Sequence, residues 1–199
     1  MSDEPLLEFR EVMRRLRAEC PWKAGQTHRS LVRYLVEELH ETVDAIETGT
    51  PGDLAEELGD LLLQVYFHAA IAEESGTFTL DDVAAGIVAK MRRRNPHVFG
   101  DAGAQTSAAE VNELWEQVKA TEKSRDDVTD GIAPTLPALL YADKVVDRLG
   151  RAGRPAEPGG HGAGDGLGDR LLALVVEAHD AGVDPEQELR DAVRRLLRG

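Results

Sequence analysis

The chain has a single cysteine, Cys20, in 199 residues, so neither a disulfide framework nor a cysteine-rich zinc site can be built from it. Aromatic residues are scarce at 5%. Leu, Ala, Glu and Arg are frequent instead, and these helix formers favour an all-α fold over a β-sandwich. Positive charge is also short: 23 Lys and Arg stand against 37 Asp and Glu, a formal charge of -14. A surface of that sign repels phosphate backbones, so nucleic acid is not an expected partner, and an anionic ligand must be captured locally by metal ions or a small cluster of cations. No apolar run approaches the roughly 20 residues that span a bilayer, so no membrane partner is expected. The opening Met-Ser-Asp-Glu lacks the basic start and apolar stretch of a signal peptide. The expected location is the cytoplasm.

What is present is periodic. Leu6, Phe9, Met13 and Leu16 recur at helical spacing up to Pro21. A second helix is predicted from about Ser30 to Glu47, ending before Gly49-Thr50-Pro51-Gly52. Asp53 with Glu56 fits a capping box that opens a third helix, running to about Glu74 and stopped by Gly76. Thr79 caps a fourth over Leu80–Arg94, broken by Asn95-Pro96. Ser107 with Glu110 opens a fifth, with Val111, Leu114, Trp115 and Val118 on one face. After about Ser124 the texture changes. Pro134 and Pro137 introduce a short helix, and Gly150–Gly168 is rich in Gly and Pro and is expected to be poorly ordered. A final helical pair has Asp184 as N-cap and Pro185 at its first position. The predicted organisation is a domain over residues 1–123, a partly disordered linker over 124–166 and a helical tail over 167–199.

The chemistry is concentrated in Glu37-Glu38-x-x-Glu41 and, beyond the turn, Glu57-x-x-Asp60. On the second helix Leu31, Val32, Leu35, Leu39, Val43 and Ile46 form one apolar sector. Glu38 falls at its edge and Glu41 one turn further along the same flank, while Glu37, Asp44 and Glu47 point further round. The third helix is apolar on most sides, yet Glu57, Asp60, Gln64 and His68 make one polar stripe along it. Acidic residues at helical spacing are commonly just a solvated face. A stripe set into an otherwise apolar helix is different, because buried carboxylates without partners cost on the order of several kcal/mol each. Helices joined by a tight turn are antiparallel neighbours, so Glu38 and Glu41 can face Glu57 and Asp60. Four converging carboxylates suit hard divalent ions, which take oxygen ligands and keep positions open for water and phosphate. Glu37-x-x-His40 also spells half of a di-iron carboxylate motif, but Glu57-x-x-Asp60 does not supply the other half.

These residues resemble the MazG family of nucleoside triphosphate pyrophosphohydrolases, whose pattern of Glu-Glu-x-x-Glu, a spacer and Glu-x-x-Asp is matched by Glu37, Glu38, Glu41, Glu57 and Asp60. The likeness extends to Cys20-Pro21-Trp22 with Gln26-Thr27-His28, to Glu57-Leu58-Gly59-Asp60-Leu61-Leu62, and to Lys90-x-x-Arg93-Arg94 leading into Pro96-His97-Val98-Phe99. With Trp115-Glu116-x-x-Lys119 it covers about residues 6–123, and Leu136-Pro137-Ala138-Leu139 looks like the family's interdomain segment. Lys23 departs from it, standing where the family usually has an acidic residue.

The resemblance implies an all-α helical-bundle domain that dimerises, as a homodimer or higher homo-oligomer with each site completed near the interface. It implies Mg2+, with Mn2+ as a substitute, on Glu38, Glu41, Glu57 and Asp60, and Glu37 beside them as auxiliary ligand or water-activating base. Lys90, Arg93 and Arg94 would hold phosphates, and Trp115 and Lys119 would close over the nucleotide. Read without the family, the same cations suit a helix C-terminus and Trp115 suits a core. The implied reaction is hydrolysis of ribo- or deoxyribonucleoside triphosphates to monophosphate and pyrophosphate, cleansing the nucleotide pool. A narrower dUTP, dCTP or phosphoribosyl-ATP pyrophosphatase shares the carboxylate set, and a catalytically weak nucleotide- or partner-binding module is the alternative from another class. Full-length relatives carry two copies of the domain. Leu167-Gly168-Asp169-x-Leu171-Leu172 echoes Leu58-Gly59-Asp60-x-Leu62-Leu63, but Gly166 stands where Glu57 does, so the tail is expected to be a degenerate second copy without metal.

Overall fold

The computed structural model describes residues 4–100, 107–122, 127–156 and 166–199, and every regular element among them is a helix. The chain divides into two units, Met1–Lys119 and Ala120–Gly199.

In the first unit, α1 (Pro5–Glu19) is followed by the single turn of α2 (Pro21–Ala24). The next helix, α3 (His28–Thr48), opens at a capping box of Thr27 and Ser30, each side chain bonded to the other's backbone N–H. It starts a little before the predicted Ser30 because Thr27 supplies the cap, with Ser30 standing where a glutamate is usual. A correction applies to α4 (Pro51–Glu74). Its capping pair is Thr50 and Asp53, not Asp53 and Glu56: the Asp53 carboxylate accepts the Thr50 N–H at 2.7 Å. Both pairs fit the sequence pattern. Pro51 decides between them, since its fixed φ and missing N–H suit the first helical position. The Thr79 cap of α5 (Leu80–Arg94) is as expected, with Asp82 as its reciprocal partner. After the one-turn α6 (Pro96–Phe99) comes α7 (Ala108–Thr121), opened by Ser107 and Glu110.

The turn of Gly49 and Thr50 folds α4 back along α3. At Gly49 a Cβ would sit 2.8 Å from the Ala45 carbonyl oxygen and 2.9 Å from its Cα, so the reversal requires glycine. The register is fixed at both ends: the Thr42 hydroxyl lies 3.5 Å from the Glu57 carbonyl, and His28 meets His68. Met13, Leu31, Tyr66 and Phe67 form the core. The buried Arg17 closes it, donating to both oxygens of Glu74 at 2.7 and 2.5 Å and to the carbonyls of Lys23 and Gln26.

This core covers the C-terminal half of α4 and leaves its N-terminal half open. Gln64, Tyr66, Phe67, Ala69, Ala70 and Ala72 are buried, whereas Leu58 is 51% exposed. Of the apolar sector predicted on α3, only Leu31 is buried; Val32, Leu35, Leu39 and Ile46 stay exposed.

The second unit contains α8 (Ala138–Arg151), α9 (Leu167–Asp180) and α10 (Pro185–Arg198), which pack on one another. Val146, Val175 and Val176 form its core, and His179 Nδ1 lies 2.8 Å from Asp143 across α9 and α8. The interval read as a linker thus holds a full helix, α8, whose apolar face joins that of the tail. Residues 157–165, within the stretch expected to be poorly ordered, and 123–126, at the expected domain boundary, lie outside the described residues. Asp184 caps α10 by accepting the N–H groups of Glu186 and Gln187, with Pro185 at the first position.

Candidate functional site

Because α3 and α4 run antiparallel, their acidic motifs meet near the turn. Glu38, Glu41 and Glu57 each offer a carboxylate oxygen, and the three lie within 4.8 Å of one another. Thr42, buried one turn after Glu38, bonds the Glu38 carbonyl at 2.8 Å and approaches the Glu57 carbonyl, pinning the two acid-bearing turns together. Asp60 lies one turn beyond Glu57 on α4.

The electrostatics of the cluster are one-sided. Glu38 is held above the usual carboxylate range by burial, then by the charges of Asp60, Glu41, Glu57 and Glu37. Glu57 is raised in the same direction by burial, then by Glu41, Asp60, Glu56 and Asp53. Its Oε2 is shielded from solvent and accepts no hydrogen bond. Like charges crowded in this way favour the protonated acid unless a cation intervenes. An oxygen-only donor set of this charge fits a hard divalent ion. Glu37 is exposed and stands outside the triad, contributing the weakest of these repulsions on Glu38.

The polar stripe of α4 continues past the acids. Gln64 is only 4% exposed, and its Oε1 has no partner. One turn further, His68 stacks on His28 with ring centroids 5.0 Å apart and the two Nδ1 atoms at 2.7 Å. Burial, then His28, lowers the His68 pKa. The sequence reading placed Gln64 and His68 on the stripe but missed the histidine pair. The pair follows from the register of α3 on α4, seen at Thr42 and Glu57, and helical periodicity alone does not signal it.

The predicted cationic residues are carried by α5 and α7. Lys90 and Arg93 are exposed at the end of α5, and the Arg94 guanidinium lies 5.2 Å over the Trp115 ring of α7. Lys119 pairs with Glu116 at 2.9 Å. The structure therefore joins Arg94 to Trp115 and Lys119 to its own helix, and no carboxylate of the cluster takes part in these contacts.

Residues 26–99 match the model of the MazG nucleotide pyrophosphohydrolase domain. The chain is 50% identical over 190 residues to an uncharacterised 26.1 kDa protein of the blaB 3' region of Streptomyces cacaoi, covering 94% of this chain and 77% of that one. It is 42% identical over 192 residues to a nucleoside triphosphate pyrophosphohydrolase of Mycobacterium tuberculosis, covering 96% of this chain but spanning only 55% of the relative. Over 213 residues it is 35% identical to the nucleoside triphosphate pyrophosphohydrolase/pyrophosphatase MazG of Thermotoga maritima, covering 96% of this chain and 82% of that protein. Both acid-bearing helices lie within the matched segment, and the likeness to the Thermotoga protein runs through most of both chains: this chain belongs to the MazG nucleotide pyrophosphohydrolase family.

Proposed function

We propose that this chain hydrolyses nucleoside triphosphates to monophosphate and pyrophosphate, with Mg2+, or Mn2+ in its place, held by Glu38, Glu41, Glu57 and Asp60. The observation that carries this reading is the convergence of Glu38, Glu41 and Glu57 within 4.8 Å across two packed helices. When bound, the divalent ion neutralises phosphate charge and acidifies a coordinated water. The carboxylates fix where the polyphosphate sits relative to α3 and α4. Water oxygen bonds to the α-phosphorus as the bond to the bridging oxygen breaks, and pyrophosphate leaves with the electron pair. Glu37, exposed beside the triad, is the group we assign to take the water's proton. Lys90, Arg93 and Arg94 supply positive charge that the chain's overall balance lacks, and Trp115 with Lys119 closes over the nucleotide. The stacking of Arg94 on Trp115 supports grouping these last residues.

The exposed apolar face of α3 and α4, including Leu35, Leu39 and Leu58, favours a second copy covering it in a homodimer. We read the tail, residues 167–199, as a remnant of a degenerate copy without metal: Asp169 sits in the first turn of α9 and Gly166 takes the place of Glu57. No helix among the described residues is long and apolar enough to cross a membrane. We place the enzyme in the cytoplasm, cleansing the nucleotide pool.

A panel of ribo- and deoxyribonucleoside triphosphates assayed with magnesium tests the reading. Equimolar monophosphate and pyrophosphate are expected, lost in Glu41→Gln and Asp60→Ala proteins that retain wild-type helicity. Release of inorganic phosphate instead, or nucleotide binding without turnover, contradicts it. The same panel, with phosphoribosyl-ATP added, separates a broad enzyme from one restricted to dUTP, dCTP or phosphoribosyl-ATP.

A further inference from the structure

Gln64 is buried on α4 at 4% exposure, and its Oε1 is shielded from solvent without a donor. A buried carbonyl oxygen left unpaired costs about 1–3 kcal/mol. Methionine or leucine would fill the same space without that cost, so an acceptor here calls for a donor.

The placement of Gln64 indicates where that donor comes from. Gln64 follows Asp60 by four residues and Glu57 by seven, which places all three on one face of α4. Long side chains on a helix lean back toward the preceding turn, which here is the turn of Asp60. His68, one turn further along, does not supply the donor, since its Nε2 is itself without a partner. The acids of the cluster can only accept hydrogen bonds when ionised, as can an amide oxygen. With the acids ionised, as a bound cation keeps them, Oε1 finds its donor in a third group between them, and a water carried by a divalent ion fits, because its O–H groups point away from the cation.

Resting on the metal reading above, we propose that Gln64 is a positioning residue for the divalent ion: its Oε1 accepts a hydrogen bond from a water in the coordination shell of the ion held by Glu38, Glu41, Glu57 and Asp60. Hydrogen-bonding partners outside the ligand set fix the shell's orientation and typically alter metal affinity about 10- to 100-fold. Gln64 thus sets which faces of the ion remain open to phosphate.

The test is Mn2+ binding to the full chain without nucleotide, followed by electron paramagnetic resonance of the free ion, in wild type, Gln64→Met and Gln64→Glu. Gln64→Met preserves shape and removes the acceptor, and its affinity is expected to fall about 10-fold. Gln64→Glu keeps an acceptor and is expected to bind at least as tightly as wild type. Melting in EDTA supplies a second readout: Gln64→Met should not melt below wild type, and only its metal-induced gain should shrink. Wild-type Mn2+ affinity in Gln64→Met overturns the proposal while leaving the metal site standing, as does a loss of melting temperature in EDTA with unchanged binding. A wild-type protein that binds no Mn2+ overturns both.

Discussion

Replacing Glu38 with glutamine is expected to abolish metal binding and, in the absence of metal, to stabilise the fold. Glu38 shares a 4.8 Å cluster with Glu41 and Glu57 and feels Asp60 as well. Two unit charges at 4.8 Å repel by about 0.9 kcal/mol in the water limit and about 3.5 kcal/mol at an effective dielectric of 20. Glu38 is only partly buried, so screening keeps the net effect near the lower figure. A gain of about 1 kcal/mol corresponds to a melting temperature higher by about 2–6 °C. The pH dependence follows from the direction of the shift. The folded state holds the Glu38 proton more tightly than the unfolded chain, so stability is greatest below the unfolded value and falls as pH rises through the folded value. The gain of Glu38→Gln should therefore be present near neutral pH and vanish below about pH 4, where the wild-type acid is protonated. Circular-dichroism melts in EDTA at both pH values measure it. A variant that melts below wild type at neutral pH, or a gain that survives in acid, refutes the reasoning.

Other perturbations probe the scaffold. Arg17→Met should cost about 2–4 kcal/mol in denaturant titrations, because it removes both bonds to Glu74 and strands the Gln26 carbonyl. An unchanged midpoint would show that the clamp is superfluous. Gly49→Ala drives a Cβ to 2.8 Å from the Ala45 carbonyl oxygen; it is expected to lower melting temperature and Mn2+ affinity together, since the turn sets how α3 and α4 meet. The lowered His68 pKa predicts stability that is full above the free histidine value near 6.5 and lost as pH falls toward the folded value. His68→Leu should flatten the melting-temperature profile between about pH 5 and 7, and a profile as steep as wild type would remove His68 as its source.

Much of this could be read from local chemistry. Thr79, Ser107 and Asp184 each carried a complete capping signal and each begins a helix. The acidic motifs and the tight turn predict that Glu38 and Glu41 face Glu57 and Asp60, because helical periodicity and antiparallel packing are local rules; Glu38, Glu41 and Glu57 come within 4.8 Å of one another, and Asp60 is not part of that triad. Legibility failed where two local solutions competed, as Thr50 and Asp53 did for one cap, or where one turn of helix carries no periodicity, as in α2 and α6. The helix α8 was underestimated because flanking glycines and prolines dominate the composition around it, while its apolar face acquires meaning only against Val175 and Val176. The stacked histidines are 40 residues apart. Only the register of α3 on α4 brings them together, and that register depends on the turn geometry.

The most direct test of the account is anomalous diffraction from crystals grown with Mn2+ and a non-hydrolysable nucleoside triphosphate analogue. Manganese density is expected between α3 and α4, ligated by Glu38, Glu41, Glu57 and Asp60 and in contact with the polyphosphate. Nucleotide bound elsewhere, with no manganese among those four acids, would contradict it.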